Sequence, residues 1–170
     1  MNQKKSGFTL IELMVSITIG AIIITSALSV YANFVQTKIQ IDIARQMQKE
    51  INFALARVTD RVRNCEIERS SSNTFLKLTD CGENITDAKF SLYSEAENSD
   101  GSFIMSSENL ISPQKFTILG GSEFIITNEI DSDTKELLSQ PKVQIFLNVQ
   151  SKQDPKVTQS VRTTISSRRY

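Results

Sequence analysis

Few residues in this chain have the type and setting to do chemistry, and they stand at separate points. Gly7 follows Lys4, Lys5 and Ser6 and precedes Phe8; a position without a side chain gives a protease close access to the backbone. Glu12 is the only charged residue from Phe8 to Gln36. A carboxylate within a membrane helix costs up to about 2.5–3.5 kcal/mol at the centre and less near an end, so it is read as functional by default. The bland alternative is a glutamate resting at the headgroups.

Cys65 and Cys81 are the only thiols, and an oxidising compartment lets such a pair bond. Closing a loop of about 15 residues contributes roughly 3 kcal/mol by restricting the unfolded chain. Two unpaired structural cysteines are the alternative; the C-x-x-C spacing of a redox pair is absent. Asp131 and Asp133, with Glu129 and Glu136, resemble a calcium loop in composition only. Lys135 falls where a ligand belongs and no glycine makes the turn, so a solvated acidic loop is expected. Arg162, Arg168 and Arg169 could touch a phosphate, against the default of a frayed, solvated end.

The composition excludes more than it proposes. The 170 residues contain no histidine, which removes imidazole acid–base schemes and nearly all His-ligated metal sites. Lys+Arg and Asp+Glu both number 19, so general electrostatic binding of nucleic acid is not expected. No G-x-S-x-G, P-loop or G-x-G-x-x-G occurs. The reading is a protein without catalytic residues, cofactor or metal.

The elements that must position these residues divide sharply. From Phe8 to Val35, 19 of 28 residues are apolar, against about a third of the others, so this stretch differs in kind from the rest. A helix over it would be about 42 Å long, against about 30 Å for a hydrocarbon core. It is too long for the apolar region of a cleaved secretory signal, which spans about 7–15 residues. A plain signal anchor fits the hydrophobicity and leaves Glu12 unexplained. Beyond Gln36, Ile39, Ile43, Met47, Ile51, Leu55, Val58 and Val62 recur at helical spacing and form one apolar face. No proline interrupts Phe8–Asn64, so one helix of about 85 Å is expected, its second half packed on the protein's own domain.

After Cys65 the period changes. Strands are expected at Phe75–Thr79, Lys89–Tyr93, Lys115–Leu119, Glu123–Thr127, Val143–Val149 and Val157–Ile165. The last two form a terminal hairpin, and Gly120-Gly121 is expected to be another tight connection. Ser70–Ser72 and Glu95–Ser102 are expected to be loops. The fold class is α+β, a long N-terminal helix packed on an antiparallel sheet.

Lys4-Lys5-Ser6-Gly7 followed by Phe8-Thr9-Leu10-Ile11-Glu12-Leu13 resembles the leader and first helix of the type IV pilin superfamily. That resemblance implies cleavage between Gly7 and Phe8 by a prepilin peptidase, and N-methylation of Phe8 by the associated methyltransferase. It implies that Glu12 sets subunit register by meeting the amine of a neighbour's Phe8. Residues 1–7 are then a removed leader, 8–35 the transmembrane or filament-core helix, 36–64 its amphipathic continuation and 65–170 a β-rich head. Phe8–Gly20 and Gln48–Arg63 further resemble PilW-like minor pilins and the J-type pseudopilins of type II secretion. Many major pilins carry a proline midway along the apolar half, and this chain has none.

The expected role is a minor pilin that helps to assemble or prime a type IV pilus. Its partners would be other minor and major pilins, the processing enzyme and an inner-membrane assembly platform. The alternatives are a type II secretion pseudopilin and a single-pass, signal-anchored binding protein that never polymerises. Lys38, Arg45 and Lys49 follow the apolar stretch while Lys4 and Lys5 precede it, so charge leaves the orientation open. The resemblance places the head outside the cytoplasm, anchored in the bacterial inner membrane.

Overall fold

With no proline to remove a backbone donor, the chain forms a single helix, α1, over Leu10–Asn64. The computed structural model describes residues 9–68, 71–81, 88–94, 101–127 and 140–167. The chain divides into two compact units, Met1–Ile41 and Asp42–Tyr170, and α1 contributes to both. In the first unit every described residue belongs to α1 or directly precedes it. The second unit contains the rest of α1 and all of the strands.

Within the second unit α1 buries Ile43, Met47, Ile51, Ala54, Val58 and Val62, one stripe at helical spacing. The expected face is corrected at two places. Ile39 belongs to the first unit and is 53% exposed. Ala54 is fully buried, while Leu55 only flanks the core. Arg61 and Arg63 lie in the last turn, where positive charge opposes the negative end of the helix dipole. The Cys65 N–H donates to the Arg61 carbonyl at 2.9 Å, closing that turn.

The strands make two antiparallel sheets. The first is a meander in the order β1 (Glu66–Ile67), β2 (Phe75–Thr79), β3 (Ala88–Tyr93), β4 (Ser102–Met105) and β5 (Glu108–Asn109). Leu76 faces Phe90 and Leu92 faces Phe103 across it. β4 is a strand that periodicity did not mark, and Ser102, expected in a loop, is its first residue. Ser102 and Phe103 are both buried, so the strand's start lacks the inward–outward alternation that reveals a half-buried strand.

The second sheet centres on β8 (Lys142–Ser151), with β9 (Thr158–Ser166) paired along one side over nine residues. Val143, Ile145, Leu147 and Val149 point into the core. β6 (Phe116–Ile118) and β7 (Glu123–Thr127) both pair with β8. Gly120-Gly121 is the expected tight connection between them, but the two strands pair with β8 and not with each other. Those glycines form a kink within one interrupted strand. Gly121 has φ +79°, a conformation open to glycine. At the kink the Asn148 N–H donates to Ser122 Oγ at 2.9 Å, and Ser122 Oγ donates to the Leu119 carbonyl at 2.9 Å. A side-chain hydroxyl thus replaces the missing rung of the ladder.

The core joins all three elements. The Phe103 ring lies 6.4 Å from Phe90 and 6.1 Å from Phe124, distances at which tilted aromatic pairs attract. The Phe124 N–H donates to the Asn73 carbonyl at 2.8 Å, linking the second sheet to the segment before β2. Glu50 on α1 accepts the Ser112 N–H at 2.8 Å. Gln159 on β9 donates to the Gln48 side chain. The fold is α+β, one long N-terminal helix with antiparallel sheets, consistent with the pilin fold.

Candidate functional site

The first turn of α1 is built by a capping pattern that the sequence reading overlooked. Thr9-Leu10-Ile11-Glu12 is a Thr-x-x-Glu capping signature. The Thr9 carbonyl accepts the N–H groups of Glu12 and Leu13 at 3.1 and 3.2 Å. Thr9 Oγ1 also receives the Glu12 N–H at 3.4 Å. A helix begins with four unsatisfied N–H groups, and Thr9 covers part of that need itself. Among the described residues the Glu12 carboxylate has no hydrogen-bond or ion-pair partner. An acid in the first turn gains about 0.3–1 kcal/mol from the helix dipole. That is less than the cost of carrying a lone carboxylate deep into hydrocarbon.

From Leu13 to Val35 the helix carries no charge and is predominantly apolar. Every residue from Thr9 to Ile39 is exposed except Gly20 and Val35, which are half-exposed. Leu10, Ile11, Met14, Val30 and Phe34 each leave at least 61% of their surface open. A helix without a polar face belongs in a bilayer or among other apolar helices. Each such side chain removed from water gains about 1.5–3 kcal/mol. This helix is long and apolar enough to cross a membrane.

Its hydroxyls suit that medium. Ser16 donates to the Glu12 carbonyl at 2.8 Å, Thr25 to Ala21 at 3.0 Å and Ser26 to Ile22 at 2.8 Å. Thr18 and Thr37 donate in the same way to Met14 and Asn33. Each is satisfied within its own helix, and none needs water where hydrocarbon offers no partners.

Cys65 and Cys81 are bonded to each other, and both are buried. The bridge joins the residue after α1 to the segment following β2. Ser167 Oγ adds a hydrogen bond of 3.2 Å to the Cys65 carbonyl. Arg162 stands over the Phe146 ring at 4.5 Å and donates to Gln144 at 3.2 Å, so it packs on its own sheet. Gly7, Phe8, Glu129, Asp131, Asp133, Glu136, Arg168 and Arg169 lie outside the described residues. Among the described residues no cluster of His, Cys, Asp or Glu could hold a metal ion.

With this geometry in hand, comparison with known proteins adds one finding. A family model described as the prokaryotic N-terminal methylation motif matches residues 2–28. The match spans the basic stretch, Gly7, Phe8, Glu12 and the first part of the apolar helix. It supports a type IV pilin-like chain and points to a structural protein. No curated protein and no solved structure matches the chain.

Proposed function

We propose that this chain is a minor pilin, a subunit that helps to assemble or prime a type IV pilus. The observation that carries the reading is the Glu12 carboxylate, without a partner among the described residues, in the first turn of a predominantly apolar helical stretch that bears the methylation motif. Cleavage before Phe8 creates an α-amino group with a reference pKa near 8. Staggering one subunit against the next lets Glu12 meet that amine. Each buried charge gains a partner, and the pairing sets the register.

The partners on this reading are other minor and major pilins, the prepilin peptidase and N-methyltransferase, and an inner-membrane assembly platform. The head lies outside the cytoplasm. Residues 1–7 are the leader, 8–35 the membrane or filament-core part, 36–64 the amphipathic continuation and 65–170 the head. The proline-free helix supports a minor subunit over a major one. A type II secretion pseudopilin shares these features and is the second reading within the class.

Mass spectrometry of membrane material tests the proposal. The expected N-terminus is Phe8 with a methylated amine, and a Gly7→Leu variant should retain Met1. A wild-type chain that keeps Met1 sinks the reading in favour of a signal-anchored protein. Glu12→Gln should be cleaved normally yet fail to enter filaments; normal incorporation would remove the role given to the carboxylate.

A further inference from the structure

The outer face of the first sheet carries a feature that packing does not explain. Strand alternation turns Leu76, Leu78, Phe90 and Leu92 into the core and leaves Phe75, Lys77, Lys89, Ser91 and Tyr93 outside. The register sets Lys77 directly opposite Lys89. Like charges facing each other across an antiparallel pair are destabilising. Among the described residues, one of the two is balanced by an acid. Lys77 Nζ lies 2.7 Å from Glu68 Oε2. Lys89 has no acidic partner among the described residues; its ammonium lies 4.9 Å from the centre of the Phe75 ring.

These lysines line an open surface groove of about 480 Å³, together with Ser91, Tyr93, Ile104 and Ser106. Small-molecule sites typically enclose about 300–1,000 Å³. The lining combines three chemistries. Two ammonium groups act as point charges that accept an anion without a fixed bidentate geometry. The hydroxyls of Ser91, Ser106 and Tyr93 both donate and accept. The Tyr93 ring, in a residue 39% exposed, and Ile104 supply an apolar surface.

We propose that this groove binds an acidic saccharide. The carboxylate meets the Lys89 ammonium, beside the Lys77–Glu68 pair. Sugar hydroxyls exchange hydrogen bonds with Ser91, Ser106 and Tyr93, and a C–H face of the ring lies on Tyr93 and Ile104. A bare inorganic anion would use the charge and the hydroxyls and leave the apolar surface without a role.

Calorimetry on the full chain in detergent micelles tests this with glucuronate, N-acetylneuraminate, glucose and inorganic phosphate. At least one acidic sugar should bind about tenfold more tightly than glucose, the ratio expected for one charge-assisted contact. Lys89→Gln should weaken that binding about tenfold, while the unliganded variant unfolds at the same temperature as wild type or higher, because the facing charges are gone. Arg162→Gln on the second sheet should bind as wild type. The proposal is overturned if neither acidic sugar binds, or if glucose binds equally. Phosphate binding as tightly as the sugars, or unchanged affinity in Lys89→Gln, overturns it too. The measurement needs neither cleavage nor assembly, so its failure leaves the filament-subunit reading standing.

Discussion

Reducing the Cys65–Cys81 bridge should destabilise the β-rich unit by an amount that its loop length sets. The two residues are 16 apart in sequence. Restricting an unfolded chain by a loop of that size stabilises the fold by about 3 kcal/mol. Both cysteines are buried, and free thiols pack as small apolar groups, so reduction should leave little cavity to add to the loss. For a unit of this size each kcal/mol moves the midpoint by roughly 3–5 °C, and the expected fall is about 10 °C. The assay is thermal unfolding of the full chain in detergent, followed by the β-sheet circular dichroism, with and without reductant. The double variant Cys65→Ala/Cys81→Ala should match the reduced wild type. Hydrogen exchange adds a local readout. β1 contains only Glu66 and Ile67, so the Glu68 amide, bonded to the Lys77 carbonyl at 2.9 Å, should lose protection before the amides of β8. A midpoint shift under about 2 °C, or a β8 that loosens first, would refute the loop-entropy reasoning.

Two further predictions concern the head. Gly121→Ala should cost about 1 kcal/mol because its φ of +79° strains any side chain, whereas Gly120→Ala, with nothing within 4 Å of the added carbon, should be near neutral; paired denaturant titrations separate them. Phe124→Ala removes a fully buried ring that lies 6.1 Å from Phe103 and should cost about 3–5 kcal/mol in the same titration.

Local patterns in the chain revealed what local physics controls. The four-residue recurrence from Ile43 to Val62 marked the packed half of α1, and the alternation from Val143 to Val149 marked β8. The β8–β9 hairpin was legible too, from two alternating runs flanking a short turn, but pairing between other strands was not. Gly120-Gly121 between two apolar runs reads as a tight connection, and only the register on β8 shows that both runs lie along one strand. The opposition of Lys77 and Lys89 was hidden for the same reason, since register depends on residues far apart in sequence. β4 escaped because Ser102 and Phe103 are both inward and the strand spans four residues. The Thr9 cap is legible in the Thr-x-x-Glu spacing of Thr9 and Glu12.

Thr9 has one more consequence. Among the described residues the cap of α1 is Thr9, which lies on the C-terminal side of the Gly7–Phe8 bond. If the chain is cut there, precursor and product both keep the Thr9 cap. The leader is then a detachable label. Its removal takes away Lys4 and Lys5 and leaves a positive charge on the Phe8 nitrogen itself.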